Sequence, residues 1–491
     1  MKISRFNLFR WISIALLVSA VILLVLQLIQ FSRIHGGFPP GTQIGGIAVG
    51  GLNQQQAAER VTQAFNNPIE LVYKDQRFQI KPSQLGFELD IEAMIAAADQ
   101  QRVSLPFWPS FWDYLWNRPP VSHDTPLRSS IDDNRVRIFL MDEIASRYDE
   151  VPQSSQPIPG TINFQYGDPG VVLSVERSLA NVKQALQSPH ERSVELVINE
   201  VQPPRPSLEN LEILIRQIID RSNFDGLTEI YFLDLENREE INFAYELGTT
   251  YDPGIAFSAL STIKIPIMVS TFKRLNEPTP QGAADLMLQM IEQSENPPAD
   301  QLMEIYITPN TGPLLVTDDM REIGLRNTFL AGLFYFPAPL LQRFLTQANQ
   351  RLDYTTDPDV YNQTTTTDIG VLLDDIYQCA QTGGGTFAAV YQNQISQSEC
   401  QLMISFLTQN KLGDFIQAGL PDGTQFAHKH GWVYETDGVL HTMIDAGIVF
   451  SPGGNYVIVI AMYQPTAIIF DIANYLAARI STAIYNYFNI Q

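Results

Sequence analysis

The chain is 491 residues long, 45% hydrophobic and 17% charged, with a formal net charge of −22. Its length suits two or three domains of ordinary globular composition. The acidic balance excludes nucleic acid as a partner, because neutralising phosphate needs clustered Lys and Arg.

Lys2, Arg5 and Arg10 precede an apolar run from Trp11 to Phe31, broken only by Ser13, Ser19, Gln27 and Gln30. As a helix this run spans about 31 Å, close to the hydrocarbon thickness of a bilayer. The basic flank predicts a cytoplasmic N-terminus and an extracytoplasmic bulk. No small-x-small cleavage site follows the run, so residues 1–35 are expected to be a cytoplasmic tail and an uncleaved signal-anchor, with residues 11–31 in membrane lipid. A cleaved signal peptide is the rival, and it also leaves the remainder outside. Cys379 and Cys400 suit that oxidising placement. Their spacing does not show geometry, so a bridge and two free thiols both stay open.

The glycines of HGGFPPGTQIGGIAVGGL do not make a nucleotide loop, since no strand precedes them and no Lys-Ser/Thr follows. Gly383-Gly384-Gly385 reads as a turn. NQQQAAERVTQAFNN reads as a short helix. IELVYKDQRFQIKPSQLGFELDIEAMIAAA reads as strand, Lys-Asp turn, strand and a helix opening at Asp90. TINFQYGDPGVVLSVERSLANVKQAL repeats that order, and SVELVINEV closes the region as a strand. Residues 36–202 are thus expected to form an α+β module with a degenerate internal repeat. Within it, LPFWPSFWDYLWNRPP places Trp108, Trp112 and Trp116 four apart, on one helical face. Two readings stay open: a helix capping the module's core, or an interfacial anchor on the membrane.

The prolines of residues 203–206 mark a linker, and Ser207 can cap the helix LENLEILIRQIIDRS. A hairpin follows in TEIYFLDLENREEINFAYEL, and then FSALSTIKIPIMVSTFKRL. Ser261 and Lys264 are three apart, which on a helix puts them on one face. A desolvated lysine can take the proton of a serine and make it a nucleophile. Ser270 and Lys273 have the same spacing. Ser261 follows a loop with Pro253 and Gly254 and can open the helix, where backbone N–H groups and the dipole favour a nucleophile. Ser270 sits on an interior turn, so Ser261–Lys264 is the better pair. Downstream come Ser294-Glu295-Asn296 between two helical stretches, the Thr-rich cap TTTTDIG, and Lys429-His430-Gly431 on a strand.

Ser-x-x-Lys, Ser-x-Asn and Lys-x-Gly, in that order and context, form one known set. On these motifs residues 207–491 resemble the class A β-lactamase-related serine hydrolases, including penicillin-binding-protein-like enzymes. The resemblance implies an α/β (α+β) transpeptidase-like domain with an antiparallel sheet and helices. It implies that Ser261 is the acylated nucleophile, Lys264 its general base or proton relay, and Ser294 the donor to the leaving nitrogen. Asn296 would hold the substrate's amide side chain and the lysine. Lys429 would attract the substrate carboxylate, His430 and Gly431 would line the same strand, and the backbone N–H groups of Ser261 and Trp432 would form the oxyanion hole. The implied substrate is a β-lactam or a D-Ala-D-Ala-type peptidoglycan stem peptide. Gly45-Gly46-Ile47, Val49-Gly50-Gly51-Leu52, Gln84-Leu85-Gly86, Leu89-Asp90 and Gly167-Asp168-Pro169-Gly170 resemble the peptidoglycan-binding domain found beside vancomycin-resistance-associated W domains. That resemblance implies peptidoglycan as the partner of residues 36–202.

The chain departs from the β-lactamase pattern in four ways. Ser261 and Ser294 are closer together than usual, which predicts a more open cleft. Glu295 replaces an aspartate, and His430 replaces a Thr or Ser but can still donate a hydrogen bond. The chain has no glutamate between Glu322 and Glu399, where class A enzymes carry the base that activates the deacylating water. Asp353, Asp357 and Asp359 are the carboxylates just upstream of the Thr-rich cap. Without a base the acyl-enzyme should persist. A catalytically impaired wall-binding or scaffold protein is the alternative. His428, His430 and His441 lie on strands with alternate residues sharing a face, but the sequence sets no acidic or thiol ligand beside them. No metal and no cofactor are expected.

Overall fold

A computed structural model describes residues 5–118, 124–392 and 394–490; Lys2 of the basic flank lies outside them. The chain divides into two compact units, Met1–Gln153 with Asp168–Gln202, and Ser154–Gly167 with Pro203–Gln491.

In the first unit one helix runs from Arg5 to His35. Its segment Phe9–His35 contains an 18-residue window of mean hydropathy 2.9 and is long and apolar enough to cross a membrane, as either an anchor or a signal sequence. Asn53 caps the helix Gln54–Asn66, accepting from the Gln56 N–H at 2.8 Å. Ile69–Tyr73 and Gln76–Ile80 form the hairpin expected across Lys74-Asp75. Ile69, Leu71 and Tyr73 alternate inward, the period that a half-buried strand requires. Asp90 caps the helix Ile91–Val103.

The second half of this region departs from the expected repeat. Phe164–Gln165 pairs with Gln156–Pro157, and Gly170–Leu173 pairs with Ile198–Val201. No hairpin therefore spans Gly167-Asp168-Pro169-Gly170. Residues 154–167 belong to the second unit because Phe164 is buried in the same apolar cluster as Leu211, Ile215 and Tyr487, and Asn486 Nδ2 donates to the Ile162 carbonyl at 3.1 Å. The tryptophan helix, Phe107–Leu115, also differs from a simple cap. Phe111 is its buried residue, while Trp108, Trp112 and Trp116 are 61%, 55% and 73% exposed.

The second unit is built on a six-stranded antiparallel sheet. Its strands, from edge to edge, are Thr249–Tyr251, Glu240–Glu246, Leu227–Asp234, Gly454–Tyr463, Thr442–Ser451 and Gln425–Trp432. The central pair is apolar on both faces. Leu227, Tyr231, Leu233, Val457, Val459 and Ala461 enter one core; Ile230, Phe232, Tyr456, Ile458 and Ile460 enter the other. Such strands need helices on both sides. Ser207-capped Leu208–Asp220 and the C-terminal helix Phe470–Phe488 cover the second core. The first core is larger and surrounds Lys264–Phe272, whose every residue is buried. Thr365 caps Thr366–Thr382 by accepting from the Asp368 N–H. A disulfide joins Cys379 of that helix to Cys400 of Gln397–Leu407, which settles the pairing that spacing left open.

Candidate active site

Ser261 lies in the 3₁₀ turn Leu260–Ile263, which leads directly into the buried helix Lys264–Phe272. Leu260 has φ 51°, a left-handed conformation that a leucine holds only where its surroundings impose it. Lys264 Nζ lies 3.1 Å from Ser261 Oγ, 2.6 Å from the Ser294 carbonyl, 2.8 Å from Asn296 Oδ1 and 3.3 Å from Ser294 Oγ. Ser294 also has a left-handed φ, 60°, between the helices Gln281–Glu292 and Asn296–Leu302. Burial pushes the Lys264 amine down to about 7, against the opposing charges of Asp300 and Glu295.

The partners of Lys264 fix its chemistry. The Ser294 carbonyl and Asn296 Oδ1 can only accept, so they take two N–H groups. The remaining position faces hydroxyls. A neutral amine therefore directs its lone pair toward a serine proton, as a general base must.

The strand Gln425–Trp432 is an edge of the sheet, and it packs against the Ser261 turn. A Cβ on Gly431 would lie 2.6 Å from the Ser261 nitrogen and 2.6 Å from Leu260 Cβ, so only glycine lets the strand come this close. The Ser261 and Trp432 backbones are thereby brought to one end of the cleft. Lys429 is fully buried and donates to the His430 carbonyl at 2.8 Å. Burial, and then the charge of Lys264, push it down to about 7. His430 is pushed down to about 3 by burial, so it is neutral. Asn410 Nδ2 donates to the His428 carbonyl and lies 3.4 Å from His430 Nδ1. That nitrogen is then the acceptor, which leaves the His430 proton on Nε2. Trp432 is 38% exposed, its ring edge-on to Phe470.

Ser261, Ser294, Asn296, His430, Gly431 and Trp432 line one cleft of about 400 Å³, with Leu260, Phe334, Asp359, Asn362, Leu412 and Val433. Lys264 and Lys429 lie beneath it. Of the three aspartates singled out in sequence, only Asp359 lines this cleft. Asp353 is exposed and paired with Arg351, which holds it down to about 2. Asp359 is exposed as a residue, yet desolvation at the cleft wall pushes its carboxyl above the usual range. Asn362 was not anticipated. Its Nδ2 donates to Asp359 Oδ2 at 3.1 Å, and its buried Oδ1 has no protein partner. The stretch Asp359-Val360-Tyr361-Asn362 before the Thr-rich cap was the available signal. Phe334 was also missed. Its ring lies 5.5 Å from Lys264 Nζ, and Asp300 holds its loop by accepting from the Phe334 and Tyr335 N–H groups.

The second Ser-x-x-Lys pair is elsewhere. Ser270 is buried and donates to the Asp319 carboxylate, and Lys273 pairs with Asp319 at 2.9 Å and with Glu322. The histidine cluster needs a correction as well. An acidic group does stand beside His428 and His430: Asp445, 3.0 Å from His428 Nδ1. His428 Nε2 lies 3.1 Å from Gln417 Oε1, so both ring nitrogens have protein partners. His441 is apart, between Asp437 and the Gln464 carbonyl.

Residues 277–488 match the family model of beta-lactamase enzymes. The match takes in Ser294, Asn296 and the Lys429–Trp432 strand, and begins after Ser261 and Lys264. Residues 277–488 are accordingly the beta-lactamase-like part of the chain. Solved structures similar to the chain include PBP-A, at 20% identity over 58% of this chain and 98% of that one, TM-score 0.41. A beta lactamase from Xanthomonas campestris pv. campestris is 15% identical over 56% and 96%, TM-score 0.40. One from Chitinophaga pinensis is 16% identical over 56% and 98%, TM-score 0.40. No curated protein sequence matches.

Proposed function

We propose that the protein is a membrane-anchored, extracytoplasmic serine enzyme that forms an acyl-serine with a β-lactam or a D-Ala-D-Ala-type wall peptide. The observation that carries this reading is Lys264: buried, lowered to about 7, and held by two obligate acceptors with its third position on Ser261 Oγ. Neutral Lys264 takes the Ser261 proton as Oγ adds to the substrate carbonyl. The oxyanion meets the N–H groups of Ser261 and Trp432. The C–N bond breaks, and the proton reaches the leaving nitrogen through Ser294. Lys429 and the Nε2–H of His430 hold the substrate carboxylate. Residues 36–202 would then bind peptidoglycan. The complete hydrogen-bonded set around Lys264 weighs against a scaffold that has lost its chemistry.

Deacylation is slow in this reading, because Asp359 is shorter than glutamate and its two oxygens already accept from the Tyr361 N–H and from Asn362 Nδ2. The test is intact mass of the detergent-solubilised chain through time with benzylpenicillin, beside Ser261→Ala. A lasting penicilloyl adduct on the parent alone is expected. Rapid drug consumption with a transient adduct would make it a working β-lactamase with Asp359 as the candidate base. Failure of both benzylpenicillin and a D-Ala-D-Ala peptide to acylate would favour the wall-binding scaffold.

A further inference from the structure

The apolar N-terminal helix ends against an aromatic surface. Trp11 stands at one end of its apolar run, 70% exposed, and Phe31 at the other, buried. Between them the helix rises about 30 Å, which is the thickness of bilayer hydrocarbon. Phe31 is buried by the tryptophan helix. The rings of Phe107, Phe111 and Tyr114 lie 5.2, 5.4 and 5.4 Å from its own. His35 packs edge-on to Phe107 at 5.1 Å, and the Arg102 guanidinium donates to the His35 carbonyl at 3.4 Å.

The helix Phe107–Leu115 therefore has two aromatic faces. One grips the end of the apolar span. The other carries Trp108, Trp112 and Trp116, all exposed. Three exposed tryptophans on one face mark an interaction surface. Its position names the occupant: it sits at the level of Phe31, one hydrocarbon thickness from Trp11. Tryptophan joins an apolar ring to a polar N–H and concentrates at that depth on both sides of a bilayer. The charged residues beside the patch, Asp113 paired with Arg118 at 3.6 Å, belong with headgroups and water.

We propose that Phe107–Leu115 is an interfacial helix, lying in the membrane plane with Trp108, Trp112 and Trp116 among the headgroups and upper acyl chains. This rests on the reading of residues 11–31 as a membrane anchor. It gives the first unit a second attachment to the bilayer beside the span itself.

The test uses the full chain in vesicles of phosphatidylcholine and phosphatidylglycerol, with Trp11→Phe and Trp432→Phe so that the three helix tryptophans report alone. Lipids brominated near the headgroup or near the bilayer centre act as quenchers, and flotation with the vesicles is measured on the same samples. Flotation with strong shallow quenching and weak deep quenching is expected. Flotation without quenching overturns the interfacial helix and leaves the anchor standing. A chain that does not float overturns both.

Discussion

The helix that carries the candidate nucleophile contains the same four-residue pattern twice, and the two copies have become different objects. Ser261 lies in the 3₁₀ turn that enters it and Lys264 opens it, while Ser270 stands in its last turn and Lys273 caps its C-terminus. Lys264 meets a carbonyl and an amide oxygen, which accept protons but carry no charge. Lys273 meets Asp319 and Glu322, which neutralise it as an ion pair, and Asp319 also takes the Ser270 hydroxyl. An uncharged buried cage destabilises the ammonium of Lys264 and frees a lone pair; the carboxylates around Lys273 bind it in ion pairs instead. The spacing is common to both, and the groups facing each lysine decide what it can do.

The sharpest way to break this comparison is to truncate each copy. Ser261→Ala is expected to abolish the penicilloyl adduct in intact mass. Ser270→Ala should acylate at the parent rate and unfold more easily by about 1–3 kcal/mol, since buried Asp319 loses a hydrogen-bond donor. The opposite outcome would transfer the chemistry to the inner pair. At the lysines, Lys264→Ala should slow acylation by about 10²–10⁴-fold, the usual worth of a general base, measured by stopped-flow with a chromogenic β-lactam. Lys273→Ala should leave that rate alone and lower the thermal midpoint.

Much of this site was legible because its parts are short and local. Ser-x-x-Lys is one helical turn, Lys-x-Gly is one strand, and caps such as Ser207 and Thr365 mark the elements that hold them. The contacts that complete the cleft are not local. Asn362 reaches it from the strand Asn362–Thr364, too short to show a period, and Phe334 from a loop, where Asp300, 34 residues upstream, sets it. The N-terminal unit shows the same limit. The first hairpin was readable from its Lys-Asp turn. Its apparent repeat was not one, because Phe164 is committed to another core and the Gly-Asp-Pro-Gly stretch joins strands that pair elsewhere. The tryptophan stripe gave the correct helix, yet its spacing alone did not show that Phe111 rather than a tryptophan faces inward.

A smaller effect is expected where the strand meets the Ser261 turn. Gly431→Ala places a methyl 2.6 Å from the Ser261 nitrogen, and either the strand or the turn must shift. A displacement of this order costs about 10²-fold where reacting groups must align. Acylation should slow by that factor while the inner Ser270–Asp319–Lys273 network, and hence the thermal midpoint, changes little. Equal acylation rates in parent and variant would mean that the Ser261 and Trp432 backbones do not act together on the oxyanion.

The mildest test separates the two cages by pH. In the proposed mechanism acylation needs Lys264 neutral, and its amine is lowered to about 7 by burial. The rate should therefore fall as pH drops below about 7, by up to tenfold per unit. Lys429 is also lowered to about 7, by burial and by Lys264, but its task requires the charge. Above that pH it loses its hold on the substrate carboxylate, so the rate should fall again. The charges of the two lysines repel each other, and the limbs of the resulting bell belong to the pair rather than to either residue. His430 contributes to neither limb, since it is already neutral well below this range. A substrate ester without the carboxylate should keep the acidic limb and flatten the alkaline one. The same lowering sets a stability trend: between about 7 and the ordinary lysine range the unfolded chain binds more protons, so stability should rise with pH there. Lys273→Ala should leave the rate profile unchanged, and a lost acidic limb in that variant would mean that the inner pair, not Lys264, supplies the base.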